Sequence, residues 1–216
     1  MEYYFHLFSE WFLHIDEKLK FLIDTYQTWI YLILFLIIFV ETGLVVMPFL
    51  PGDSLLFAAG TFCALGSMNI FLLIGLLFVA AFLGDTVNYL LGSYLGPKVF
   101  KRDYKLIKRA HLEQTQLFFE KHGPKTIIIA RFVPIVRTFA PFVAGIGKMN
   151  YGKFISYNVI GGAVWVVSLT LAGYFLGTID IVKRNFEYVV LGIVFVSVLP
   201  IIVEYAKRVL SSKPAA

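Results

Sequence analysis

Five ionisable residues, Glu41, Asp53, Asp85, Arg131 and Arg137, stand in stretches otherwise apolar enough for a lipid bilayer. Each such group costs roughly 2.5–3.5 kcal/mol at the centre of a membrane helix, so each needs a compensating partner or a task. The set mixes three acids with two bases, and pairing can neutralise most of it. The two classes differ in one respect. An arginine cannot give up its proton in a protein and must find an acid, water or an anionic ligand. A carboxylate can shed its charge by taking a proton. The acids are therefore candidate proton carriers and the arginines candidate anion ligands. Two convergent guanidinium forks match a phosphate through paired hydrogen bonds. The alternative is that both arginines pair with Glu41 and Asp53 and pin two segments together, and the two readings are compatible.

The elements that must position these groups are unusual. Arg131 and Arg137 lie in "IIARFVPIVRTFAPFVAG" (128–145). Six residues apart, they would face different directions on a straight helix. Pro134 and Pro141 are expected to break that helix and let both guanidinium groups turn toward one cavity. Broken backbone at membrane depth is tolerated only where protein or a wet cavity covers it. A matching segment, "ETGLVVMPFLPGDSLLFAAG" (41–60), carries Glu41 and Asp53 with Pro48 and Pro51. Pro51-Gly52 reads as a turn, and Asp53 or Ser54 as the N-cap of the next helix, a role that competes with proton transfer at Asp53. Glu41 has no such local use. In "LGDTVNYLLGSYLG" (83–96), Asp85, Asn88, Tyr89 and Gly92 recur at helical spacing, a polar stripe with small residues that suits close helix packing. Asp85 is expected to support the site rather than relay protons. Asn158, Gly161, Gly162 and Trp165 read as packing residues of a later helix, with Asn158 placed to reach the cavity.

Composition sets these segments in a membrane. Of 216 residues 59% are hydrophobic and only 15% charged, which excludes an ordinary soluble domain. Residues 54–84 and 154–179 contain no ionised group, and each run exceeds the roughly 20 apolar residues that a spanning helix requires. The acidic start of the chain, without a small-residue cleavage site, does not read as a secretion signal. The single Cys63 lies in an apolar run, so no disulfide framework is expected. Residues 97–125 carry eight Lys/Arg against three acids, whereas residues 1–28 carry two against five. By the positive-inside rule, 97–125, Lys148, Lys153 and the tail around Lys207 and Arg208 face the cytoplasm. The arginine-bearing segment then enters and leaves on one side, which makes it a re-entrant hairpin.

The fold class expected is an all-α integral membrane protein: an inverted repeat of two re-entrant broken-helix hairpins plus transmembrane helices. Each half reads as an amphipathic segment (about 3–26 and 104–121), a broken hairpin (about 30–65 and 126–147) and a long helix (about 70–96 and 154–178). "FAAG" at 57–60 echoes "FVAG" at 142–145. Inverted repeats with discontinuous helices are a transporter architecture. The domain layout is an amphipathic segment at 1–28, one membrane domain at 29–206 and a basic tail at 207–216. Its repeat halves are about 1–96 and 104–178, and its last helix is about 188–206. The side of the membrane on which the N-terminus lies stays open.

Several chemistries find no support. The four histidines are scattered outside the apolar runs and no Cys/His cluster exists, so no metal or cofactor is expected. Neither a Gly-x-Ser-x-Gly nucleophile turn nor a phosphate-cradling glycine loop ending in Lys-Ser/Thr is present, and the chain does not read as an enzyme. The basic region 97–125 suits a surface against anionic lipid better than a nucleic-acid site.

With "FVETGLVVMPFLPGDSLLFAAG", "GDTVNYLLGSYLG", "KHGPKTIIIARFVPIVRTFAPFVAG" and "YNVIGGAVW" in order over about 29–206, the chain resembles the DedA family of bacterial inner-membrane proteins, also called the VTT or SNARE-associated family. The resemblance implies two opposed re-entrant hairpins, dependence on the proton-motive force and movement of lipids between leaflets. It implies undecaprenyl phosphate, or a phospholipid, as substrate. By motif it places the essential acids at Glu41 and Asp53 and the essential arginines at Arg131 and Arg137. The partners expected are therefore membrane lipids and protons, with a homo-oligomer open. Alternatives are a phosphatidylethanolamine flippase or scramblase and a small-cation/proton antiporter.

Overall fold

The computed structural model describes residues 15–44, 52–99 and 109–184. Pro48 and Pro51, the last apolar segment and the basic tail lie outside them. Every regular element among the described residues is helical, with no strand. Two helices there are long and apolar enough to cross a membrane, Ile70–Leu95 and Tyr151–Gly177.

The first helix, α1 (Ile15–Gly43), meets no Gly or Pro before its final residue, and it has no break at residue 28. Leu34, Ile38, Glu41 and Thr42 are buried at helical intervals, while Trp29, Leu32, Ile33 and Leu36 stay exposed, as a lipid-facing side requires. The chain resumes as α2 (Gly52–Ala64) and, after a tight turn, as α3 (Ile70–Val99). Next comes α4 (Arg109–His122), a helix of net polar character. A short 3-10 turn then leads into α5 (Thr126–Ile129), a second 3-10 turn (Ala130–Phe132), α6 (Pro134–Ile146), α7 (Tyr151–Gly177) and a short α8 (Asp180–Arg184).

The break before α6 has a plain cause. Val133, the residue preceding a proline, is extended at φ −117°, ψ 105°, and Pro134 opens the helix where its missing N–H costs nothing. Pro141 behaves otherwise. It was expected to break the helix, yet α6 runs through it. Tertiary contacts hold that turn: Asn88 donates its side-chain amide to the Thr138 carbonyl at 2.9 Å, and the Phe142 backbone lies on Gly92 of α3.

Packing is crossed between the earlier and later helices of the chain. The short helix α2 lies along α7, and α6 lies along α3, which also carries α1. Glycines set both contacts. A methyl group at Gly173 would collide with the Phe57 carbonyl and one at Gly60 with that of Thr170. At the second contact, Gly92 meets the Phe142 carbonyl and Gly145 that of Tyr89. Thr61 adds a hydrogen bond from its hydroxyl to the Gly173 carbonyl at 3.1 Å. Around these contacts Leu56, Leu73, Leu77, Trp165 and Val166 form one core cluster, and Tyr89, Ile127, Val136 and Phe154 a second.

The turns after α2 and α6 also match. In each, paired backbone bonds close the helix end: Ser67 N–H to Phe62 O with Gly66 N–H to Cys63 O, and Met149 N–H to Ala144 O with Lys148 N–H to Gly145 O. Asn69 and Asn150 then cap the next helix through their side-chain oxygens. The left-handed position is Gly66 (φ 82°) in the first turn but Lys148 (φ 51°) in the second. A lysine there is strained, because its Cβ crowds the following carbonyl. Replacing Lys148 with glycine is therefore expected to leave thermal stability in detergent unchanged or raised by up to about 1 kcal/mol, the strain relieved offsetting the added chain entropy.

Candidate functional site

Arg137, in the first turns of α6, reaches two acids from different elements. Its Nη2 donates to Glu41 Oε1 at the end of α1, and its Nη1 to Asp53 Oδ1 in the first turn of α2, both at 2.5 Å. The glutamate is 2% exposed and Arg137 9%, whereas the Asp53 side chain is 50% exposed. Gly52 makes the first pairing possible, since any side chain there would run into the Glu41 carboxylate. Asp53, expected as a helix cap, lies instead within the first turn of α2, and its carboxylate goes to Arg137 and to the Trp165 indole N–H at 2.8 Å.

Arg131 has different partners. It lies in the 3-10 turn before α6, 2% exposed, and its Nη2 donates to Asp85 Oδ2 of α3 and to Asn158 Oδ1 of α7 at 2.6 Å. Asn158 is fixed in turn by donating to the Phe82 carbonyl at 3.1 Å. The guanidinium rests on Gly161 and Gly162, where Nε and Nη2 would lie 3.2 and 3.4 Å from an added Cβ. Among the described residues, Nε and Nη1 of Arg131 have no hydrogen-bond partner. Pairing of both arginines with Glu41 and Asp53 is thus not what is found: Arg137 holds both of those acids and Arg131 takes Asp85.

One ring joins the two pairs. The guanidinium carbons of Arg137 and Arg131 lie over Trp165, 5.2 and 5.7 Å from the ring centroid. Cation–π attraction of this kind is worth about 2 kcal/mol when water is excluded. Five charged groups from α1, α2, α3, the 3-10 turn and α6 therefore form one connected cluster, joined by Trp165 and Asn158 of α7. With every group ionised it would carry one excess negative charge.

The polar stripe of α3 serves two purposes. Asp85 faces Arg131, while Asn88 donates to the carbonyls of Thr42 and Thr138, at 3.0 and 2.9 Å, and so ties the end of α1 to α6. Tyr89 donates to the Met149 carbonyl at 2.5 Å and stacks on Phe154. Asn158 reaches the charges, as its expected place at the cavity allowed, whereas Trp165, expected as a packing residue, holds Asp53 and lies under both arginines. The spacing 158, 161/162, 165 on one helical face was the available signal. Trp165→Phe keeps a ring for the arginines but loses the donor to Asp53, and is expected to cost about 1 kcal/mol in thermal unfolding. Trp165→Ala is expected to cost about 3–5 kcal/mol.

Comparison with known proteins gives the family. The VTT domain profile matches residues 50–175. The chain is 50% identical to Protein DedA of Escherichia coli K12 over 210 residues, 96% of each chain. The chain belongs to the DedA family. It is also 44% identical over 175 residues to an uncharacterized membrane protein of Mycobacterium tuberculosis H37Rv, covering 80% of this chain and 77% of that one. Inner membrane protein YqjA of E. coli K12 is 41% identical over 149 residues, 68% of each. No solved structure matches. Membership in this family of membrane proteins accounts for the apolar side chains that α3 and α7 leave exposed, among them Phe71, Leu90, Val164 and Phe175.

Proposed function

We propose that this DedA-family protein is a proton-motive-force-dependent transporter that moves a lipid phosphate, undecaprenyl phosphate, across the bacterial inner membrane for carrier-lipid recycling. The observation that carries the reading is the sharing of Arg137 between Glu41 and Asp53. At a guanidinium held this way, a phosphate and a carboxylate can replace one another through the same paired donors. When the head group takes Arg137, Glu41 is left buried and unpaired, and it takes a proton rather than stand charged in an apolar setting. Loss of that proton on the other side restores the pair and expels the lipid. Asp53, half exposed, connects the pair to the surroundings, and the two unused donor positions of Arg131 supply further contacts to an anion. Asp85 and Asn158 hold Arg131 in place. The polyprenyl tail stays in the bilayer.

The architecture that goes with this reading is an inverted repeat of two opposed re-entrant hairpins within one membrane domain. The reciprocal glycine contacts of α2 on α7 and of α6 on α3, and the matching turns at 65–69 and 147–150, support it. Alternating access would then move one half against the other around the charge cluster. The basic loops and tail put the C-terminus in the cytoplasm.

The test is lipid flipping in proteoliposomes, comparing undecaprenyl phosphate with phosphatidylethanolamine, each with and without a pH gradient. Gradient-sensitive flipping of the polyprenyl phosphate is the expected result. Preferential flipping of phosphatidylethanolamine would replace the substrate with a phospholipid. The excess acid of the cluster favours a second reading, a small-cation/proton antiporter. Cation-driven proton movement in vesicles that flip neither lipid would support it.

A further inference from the structure

Each of the two matching turns borders an apolar groove. The first, of about 1090 Å³, is lined by Trp29, Tyr31, Phe35, Gly66, Met68 and Leu72 among others, none of them charged. The second, of about 530 Å³, lies between the end of α4 and the end of α6, lined by Phe119, Pro124, Val143, Ala144, Gly147 and Met149 among others. The grooves are alike in hydrophobicity and differ in charge. Around the second, Lys148 stands between the lining residues Gly147 and Met149, Lys125 follows Pro124, and Lys121 lies in the last turn of α4. All three are exposed, with Glu120 as the neighbouring acid. In the first, the position of Lys148 is occupied by Gly66.

That replacement is informative. A glycine satisfies the left-handed position of such a turn without strain, whereas a lysine tolerates it only against an opposing steric cost. Strain at one member of a matched pair points to a task at that member. Among the described residues Lys148 gains no ring contact or ion pair from its position, and it lies between two residues at the edge of a hydrocarbon-sized groove. An ammonium at such an edge, with two more nearby, complements a phosphate in the lipid head-group layer, while the groove takes a chain of the same lipid.

We propose that the groove between α4 and α6 is a docking site for an anionic phospholipid, its acyl chain lying along Phe119, Val143 and Met149 and its phosphate held by Lys148 with Lys121 and Lys125. The first groove, whose described lining carries no charge, takes acyl chains with no preference for head-group charge. The inference rests on the lipid-transport reading in one respect: a lipid docked here would be positioned beside α6, the helix that carries Arg137.

The test uses the full-length protein and native mass spectrometry, with phosphatidylglycerol and phosphatidylcholine as probes at equal mole fraction and no gradient. The wild type is expected to retain phosphatidylglycerol at least several-fold over phosphatidylcholine. Lys148→Gly should lose most of that preference with its melting temperature unchanged or raised, which separates a lost site from a damaged fold. Gly66→Lys should add anionic-lipid retention at the first groove, and Val143→Trp, which fills the second, should lower phosphatidylglycerol retention there. An undiminished preference in Lys148→Gly overturns the proposal, as does equal retention of both lipids by the wild type. Because retention is read without transport, its failure alongside intact gradient-driven flipping removes the docking site and leaves the transport reading standing. The opposite pair of results removes the transport reading alone.

Discussion

Arg137→Ala is expected to abolish gradient-driven lipid flipping and to destabilise the protein by about 3–5 kcal/mol, the usual cost of leaving one partner of a buried ion pair uncompensated. The loss should be distributed unevenly between its two acids. Glu41 is almost fully enclosed, whereas Asp53 is half exposed and can be solvated when its partner leaves. A second substitution separates stability from function. Arg137→Ala combined with Glu41→Gln removes the stranded charge and should recover a large part of the lost stability, while transport stays absent. Asp53→Asn with Arg137→Ala should recover much less. Thermal unfolding in detergent, run on all the variants, measures these stabilities. Equal rescue by the two second substitutions would mean that Glu41 is not the acid enclosed with Arg137.

Gly92→Ala and Gly173→Ala are each expected to destabilise the fold by about 3 kcal/mol, at the upper end of overpacking costs. In both cases the added methyl meets a backbone carbonyl, Phe142 for the first and Phe57 for the second, and a carbonyl within a helix cannot rotate aside as a side chain can. The two helices must separate, which moves α6 and the Arg137 it carries in one case, and α2 with Asp53 in the other. The internal control is Gly75→Ala on α3, where an added methyl meets nothing within 4 Å. It should be neutral or stabilising by up to about 1 kcal/mol, since alanine is the better helix former. Similar losses at Gly92 and Gly173, read from detergent melting curves, are what reciprocal docking of the two halves requires. A large loss at only one of them would show that the contacts are not equivalent.

Much of the frame was legible in the chain. The long helices expected at about 70–96 and 154–178 are found at Ile70–Val99 and Tyr151–Gly177, because an uninterrupted apolar run in a membrane protein has few conformations available to it. The break at Pro134 was equally local, fixed by the conformation of the residue before a proline. The passage of α6 through Pro141 was not, because it depends on Asn88 and Gly92, about fifty residues away in the chain. The same limit applies to the charges. The five residues stood out by type and depth, but which acid meets which arginine depends on how α1, α2 and α3 pack against α6 and α7. Trp165 was the least visible of the set. Its indole resembles a core residue by every sequence criterion, and only the fold brings its ring under two guanidinium groups and its N–H to Asp53.

The exchange of a carboxylate for a phosphate on Arg137 is most directly tested by counting protons as the ligand binds. Purified protein in weakly buffered detergent would be titrated with a short-chain polyprenyl phosphate while a pH indicator dye reports proton uptake. The account predicts uptake approaching one proton per bound ligand, as Glu41 leaves Arg137 and takes a proton, with uptake lost in Glu41→Gln. Saturable binding that takes up no protons, or uptake that Glu41→Gln leaves unchanged, would contradict it.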